Sequence, residues 1–289
     1  MKNLLLLLAA TPALVLASCS SGGGGTSGFG FLTLDATDAP IDHALVEEAV
    51  IWVDRITIHR ESTADDSVDG WLTLYEGSPV ELNLLDLTNG ITRTLLSAKR
   101  IPVGEYRQLR LLVTAAHIEL VNGNLYTTDD GSLHLTSQGT SGFKVFVEPP
   151  LEVRDGFDEN LLLDFDLTKT FKPIPANEPL NANSFKLHPV IRAVQLEGTG
   201  ELTGIVTEDD GMGGFTPVES ASVYILPPGV TDLDDSIAST ATNADGNYTV
   251  LGIPAGMVDV LARKDELSAL AEAVVIQAGE VTVLDLVIE

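Results

Sequence analysis

The chain is poor in cysteine, histidine, aromatic residues and positive charge. It has one Cys, five His, 6% aromatics, and 16 basic against 42 acidic residues in 289 positions. Each shortage excludes something. One Cys forms no intramolecular disulfide and no cysteine-based zinc site. A formal net charge of −26 leaves no basic surface to displace counterions from a phosphate backbone, so nucleic acid is excluded as a partner. His43, His59, His117, His134 and His188 show neither i, i+4 pairing nor H-x-H spacing. No H-E-x-x-H or G-x-S-x-G motif is present, and the glycine run Gly22 to Gly25 precedes no G-K-[ST]. What is present is a packed composition, 44% apolar and 20% charged, which an acidic disordered chain lacks.

The N-terminus carries an address. Lys2 is followed by Leu4 to Leu16, an apolar stretch of 13 residues interrupted by Thr11 and Pro12. A membrane-spanning helix needs about 20 apolar residues, so this reads as the core of a signal peptide. Leu16-Ala17-Ser18-Cys19 resembles the bacterial lipobox and contains the sole cysteine. The resemblance implies cleavage before Cys19, lipid attachment there, and anchoring to the envelope membrane. Ser20, where Asp would imply inner-membrane retention, leans toward the outer membrane. Residues 20–28, SSGGGGTSG, form a tether with an r.m.s. reach of about 15–18 Å.

From Phe29 onward the dominant period is two. Val50 to His59 alternates sides, and further strand-like runs lie at 71–75, 80–85, 107–114, 117–121, 143–148, 160–168 and 185–196. Trp52 reads as core. Residues 91–100 read as the one short helix. Gly198-Thr199-Gly200 looks like a joint, after which the composition shifts. Residues 20–197 hold 13 basic and 26 acidic residues; residues 198–289 hold 2 and 16. Seven further strand-like runs follow it, the last being 272–277 and 281–288. The expected fold is all-β: two antiparallel sandwiches, the second immunoglobulin- or transthyretin-like. The expected boundaries are 1–18 signal peptide, 19–28 tether, 29–197 first domain and 198–289 second domain.

Two resemblances accompany this reading. The first rests on Leu34 with Thr37-Asp38-Ala39-Pro40, on Asn83-Leu84-Leu85-Asp86-Leu87-Thr88-Asn89-Gly90, and on Ile101-Pro102-Val103-Gly104-Glu105-Tyr106 with Arg110. Leu163-Asp164-Phe165-Asp166-Leu167 and Leu187-His188-Pro189-Val190-Ile191 complete it. In that order and spacing they resemble the DUF4382 family of bacterial lipoprotein domains, which implies no activity. The second rests on Gly204-Ile205-Val206, Pro217-Val218, Ala221-Ser222-Val223, Thr242 to Tyr248, Gly252 to Gly256, and Ala278-Gly279. It is similar to the carboxypeptidase regulatory-like domain, grouped with transthyretin-like and carbohydrate-binding-like sandwiches. That module has no catalytic zinc.

The most pointed polar residues are Asp164 and Asp166, i and i+2 on one strand face. Such a pair can share a calcium ion, frame an acid/base couple, or lie as a solvated or arginine-paired face. Asp35, Asp38 and Asp42 crowd the first turn, and Asp38-Ala39-Pro40 has turn chemistry. Together the five are the candidate metal or ligand residues. The acidic loops at 208–211 and 232–235 lack the spacing of an EF-hand. Trp71, Tyr75, Tyr126, Tyr224 and Tyr248 are candidate ring platforms for a sugar. The sequence thus points to a non-enzymatic, lipid-anchored binding or adhesion module with an unidentified protein or glycan partner. It requires no cofactor, with calcium as the candidate ion. The alternatives are carbohydrate binding by the second sandwich, and an enzyme using Asp164 and Asp166.

Overall fold

The computed structural model describes residues 28–39, 45–61, 70–136, 142–175 and 179–289. Residues up to 197 contribute the strands β1 (Phe29–Ala39), β2 (Val46–His59), β3 (Leu72–Asn83), β4 (Arg93–Pro102), β5 (Gly104–Leu120) and β6 (Leu125–Thr127). They also contribute β7 (Leu133–Leu135), β8 (Phe143–Val153), β9 (Asp158–Asp166), β10 (Phe171–Ile174), β11 (Ser184–Leu187) and β12 (Ile191–Gln195). One large sheet has the order β12-β9-β1-β4; the other has the order β3-β2-β5-β6, with β8 also paired to β5; a small third sheet has the order β10-β11-β7. The period of two explains how the two large sheets meet. Leu32, Leu34 and Ala36 of β1 point inward with Leu161, Leu163 and Phe165 of β9. Ile51, Val53, Leu109, Leu111 and Val113 come from the facing sheet, and all join one core.

The second part contains β13 (Thr199–Asp209), β14 (Phe215–Pro217), β15 (Ser222–Leu226), β16 (Ala238–Ala241) and β17 (Asn247–Pro254). It continues with β18 (Gly256–Lys264), β19 (Leu267–Ile276), β20 (Val281–Val283) and β21 (Leu286–Ile288). One sheet is built around β13 and pairs it with β14, β17, β20 and β21. The other runs β16-β15-β18-β19. Leu202, Val206, Tyr248 and Val250 meet Val223, Ile225, Val258 and Val260 in a second, separate core. The all-β architecture expected from the sequence is present. No helix among the described residues is long and apolar enough to cross a membrane.

Three details differ from the sequence expectation. Residues 93–102 are a strand, not a helix: β4 pairs antiparallel along β1, from Phe29 opposite Pro102 to Ala36 opposite Arg93. Backbone pairing to a buried neighbour overrides the local helical preference, and the charged side chains of β4 suit an edge strand. Trp52 is half-buried rather than core, and its ring lies against His117 with centroids 5.4 Å apart. The sheets are also not purely antiparallel, since β1–β9, β7–β11, β13–β20 and β13–β21 pair in parallel.

The outer face of the first sheet is covered too. Leu161, Leu162 and Leu163 are successive in β9, so they point to alternating sides, yet their exposures are 0, 1 and 0%. Leu162 and its register partner Val194 belong to neither core. They lie under Gly252 of β17, where a Cβ would fall 3.0 Å from Val194 Cγ1 and 3.5 Å from Leu162 Cδ2. Strand β16 also meets β1, and the Asn89 side-chain amide donates to the Asn247 carbonyl at 3.4 Å. The second sandwich therefore lies along the first sheet.

Two positions in the second sandwich fix its geometry. A Cβ on Gly204 would sit 1.8 Å from the Leu284 carbonyl oxygen, so β13 and the 284–285 turn approach with no room for a side chain. Asp259 interrupts the pairing of β18 with β19 at a register shift. Its buried carboxylate accepts N–H bonds from Gly229 at 2.7 Å and Ala273 at 2.8 Å, and these bonds hold its pKa below the ordinary carboxylate value.

Gly204→Ala is expected to destabilise the second sandwich by at least about 2 kcal/mol, because the obstruction is backbone and cannot rotate away. Urea unfolding checks this, and an unchanged midpoint contradicts it. Because the folded state lowers the Asp259 pKa, the unfolded chain binds the proton more readily. The stabilisation is therefore present above the ordinary carboxylate range and lost as pH falls through it. Asp259→Asn is expected to lower the melting temperature at neutral pH and to flatten the acid limb of melting temperature against pH.

Candidate functional site

The outward face of β9 positions the two carboxylates singled out by the sequence. In register, Asp164 stands between Thr37 of β1 and Arg192 of β12. The Arg192 guanidinium donates to Asp164 Oδ2 from Nε at 3.2 Å and from Nη2 at 2.9 Å. The Asp164 side chain is 12% exposed. Burial pushes its carboxyl above the usual range, Arg192 opposes that rise, and Asp166 adds to it. Asp166 ends the strand and caps α1 (Leu167–Thr170). Its Oδ1 accepts the Lys169 N–H at 3.0 Å, and its Oδ2 pairs with Lys169 Nζ at 3.2 Å. The two carboxylates share a face, and each engages a different cation.

Asp35 lies on the same face, opposite Leu162, and accepts the Thr94 hydroxyl at 2.5 Å. The backbone of Asp38 stands opposite Phe165. The Asp38 side chain, Asp42 and Cys19 fall outside the described residues. Among the described residues no three Asp, Glu, His or Cys side chains converge as a metal site. The acidic loops bond to their own backbone: Asp210 Oδ1 accepts from Met212 N at 2.7 Å and Gly214 N at 2.9 Å, and Asp232 Oδ1 accepts from Asp234 N at 3.1 Å. The two Asp210 bonds lower its pKa.

The aromatic candidates separate by burial. Tyr126 is 6% exposed; its hydroxyl donates to the Ala182 carbonyl at 2.6 Å and its ring lies 4.8 Å from that of Phe185. Tyr248 is fully buried, its hydroxyl donates to the Leu284 carbonyl at 2.7 Å, and burial raises its pKa. Neither ring can stack on a ligand, which corrects the sequence expectation for both. They alternate with polar residues because they are the large inward members of their strands. Trp71, Tyr75 and Tyr224 are half-buried. The Trp71 ring lies tilted against His59, centroids 5.0 Å apart, with the Arg110 guanidinium 4.3 Å over it, and the Tyr75 hydroxyl donates to the Ser78 carbonyl.

Sequence reasoning missed Arg192, Lys169 and Thr94, the partners of the three described carboxylates. Lys169 was within reach of it, since Asp166 precedes it by three residues. Arg192 and Thr94 become neighbours of Asp164 and Asp35 through strand register, which no local spacing reveals. A cleft of about 310 Å³ opens beside Arg192 where the two sandwiches join. Glu148, Pro149, Gln195, Glu197 and Pro254 help to line it.

The fold and this paired, capped acidic face define an all-β protein of two sandwiches. The chain belongs to the family described as Domain of unknown function (DUF4382), whose model matches residues 29–189. No curated protein matches the sequence. Among solved structures, a candidate carbohydrate-binding protein from Pseudomonas aeruginosa is 13% identical, with a TM-score of 0.25, covering 32% of this chain and 91% of that one. The minor pilin GBS52 of Streptococcus agalactiae is 11% identical with a TM-score of 0.23, covering 89% and 94%. The major pilin subunit BcpA of Bacillus cereus is 9% identical with a TM-score of 0.23, covering 90% and 70%. At such TM-scores no function transfers from these proteins to this chain.

The Asp164–Arg192 pair is expected to behave as a structural couple. Arg192→Met alone should cost about 2–3 kcal/mol, less than for a deeply buried pair because the Arg192 side chain is 31% exposed. Asp164→Leu combined with Arg192→Met should recover most of that loss. Strictly additive costs in a double-mutant cycle would contradict the pairing.

Proposed function

We propose that the chain is a lipid-anchored protein of the bacterial envelope, at the outer membrane, acting as a non-enzymatic binding or adhesion module. The observation that carries this is Cys19, the sole cysteine, standing at the end of Leu16-Ala17-Ser18-Cys19 after a 13-residue apolar stretch. Residues 1–18 are the signal peptide and 19–28 the tether. Residues 29–197 form the DUF4382 sandwich and 198–289 a carboxypeptidase regulatory-like one. The two separate cores support that division.

The chemistry of the acidic face supports a role without catalysis. A general acid needs a raised pKa and access to a substrate. Asp164 has the first, but its carboxylate is turned to Arg192 and mostly buried. Asp166 is occupied as a helix cap. The module requires no cofactor. With a calcium site built from Asp35, Asp38, Asp42, Asp164 and Asp166, a chelator would lower the melting temperature, since a ligand of the folded state raises it.

Metabolic labelling with a fatty-acid analogue tests the anchor. Wild-type chain is expected to take the label and partition into the detergent phase. Cys19→Ser should remain unlabelled and unprocessed. An unlabelled wild-type chain, or a labelled Cys19→Ser, overturns the reading.

A further inference from the structure

The chain enters its first strand at Gly28-Phe29, and an aromatic rim surrounds that entry. Phe29 is 37% exposed and Phe157 is 56% exposed. Backbone bonds tie them together: Gly156 N–H donates to the Phe29 carbonyl at 2.9 Å, and Phe31 N–H donates to the Phe157 carbonyl at 2.8 Å. Each ring carries a guanidinium. Arg100 lies 3.8 Å from the centre of Phe29, and Arg154 lies 4.9 Å from the centre of Phe157. Asp155 is fixed at the same place, its Oδ1 accepting the Phe29 N–H at 3.0 Å. An open hollow of about 630 Å³ lies here, lined by Gly28, Phe29, Phe31, Arg100, Asp155 and Gly156.

We propose that this rim is the membrane-docking surface of the protein, and that the hollow receives a zwitterionic phospholipid headgroup of the phosphoethanolamine type. The inference rests on the lipid-anchored reading above. Two observations select the bilayer as the occupant. The first is where the Gly/Ser-rich sequence after the anchoring cysteine leads. Ten residues, 19–28, separate the anchoring cysteine from Phe29, and the r.m.s. reach of that tether is about 15–18 Å. The rim is therefore the part of the folded chain that the anchor holds nearest the membrane. The second is charge. A chain of −26 gains no long-range attraction to anionic lipid. A zwitterionic headgroup needs none: Arg100 meets the phosphate and Asp155 the ammonium, side by side. Phe29 and Phe157 then lie in the interfacial layer, Phe29 under the Arg100 guanidinium and Phe157 under that of Arg154, which is held by Glu159 and Glu197.

The test uses the full lipidated chain in vesicles of phosphatidylethanolamine and phosphatidylglycerol whose acyl chains are brominated near the headgroup. In a chain whose two native tryptophans, Trp52 and Trp71, are replaced by Phe, Phe157→Trp places a sole reporter on the rim. Leu125→Trp places one at the other end of β5, which runs from Gly104 at the rim to Leu120 beside β6. The Phe157→Trp signal is expected to shift to the blue and be quenched, and the Leu125→Trp signal is not. Adding Arg100→Glu to Phe157→Trp should abolish the quenching, as should vesicles of phosphatidylglycerol alone. Flotation of the vesicles reports the anchor separately. A chain that floats with equal quenching at both positions overturns the docking surface and leaves the anchor standing. A chain that does not float overturns both. Circular dichroism of each variant confirms that the loss of quenching is not a loss of fold.

Discussion

The burial of β9 on both faces is the constraint on which the rest of the structure depends. A strand in a sandwich ordinarily presents one face to the core and one to water, and its sequence alternates accordingly. In β9 three leucines follow one another, and all are sealed: Leu161 and Leu163 in the first core, Leu162 beneath the second sandwich. At about 25 cal/mol per Å² of apolar surface, an uncovered Leu162 and Val194 would forgo roughly 3 kcal/mol. The first sheet is therefore incomplete until another layer covers it. β17 supplies that layer at Gly252, where the absence of a side chain lets the backbone approach.

Asp164 stands two residues beyond Leu162 on the same side of β9, and its side chain, 12% exposed, is likewise largely withdrawn from water. Desolvation raises its pKa, and Arg192, its neighbour across the sheet, supplies the compensating charge. A raised carboxylate pKa is often a mark of catalysis. Here its cause is burial beside a paired arginine, and its role is to match one strand to the next. Asp166, one step further out, ends the strand by capping the turn of helix that follows. The family motif that contains both is thus accounted for by the sheet it builds.

Much of this was legible in the sequence. The period of two carries across both sandwiches, and the Asp245-Gly246 turn closes where turn chemistry places it, with Asn243 Oδ1 accepting from both Asp245 N and Asn247 N. What failed was non-local. Residues 91–100 read as a helix by local pattern, and pairing with β1 makes 93–102 a strand. Tyr126 and Tyr248 sit near polar turns in sequence but point into the cores. The Arg192 partner of Asp164 depends on an antiparallel register between segments 28 residues apart. The run Leu161-Leu162-Leu163 was the one sequence signal of the covered outer face, since three successive apolar residues fit a strand buried on both sides.

The most direct measurement is the stability of Leu162→Asp, followed by calorimetry on the intact chain. Leu162 is a member of neither core and lies under Gly252, so its substitution reports on the contact between the sandwiches. The account predicts a loss of about 2–4 kcal/mol, as for a fully buried leucine, and a wild-type endotherm that splits into two once the contact is broken. A variant as stable as wild type, with an unchanged endotherm, would contradict it: the outer face of the first sheet would then be open to water.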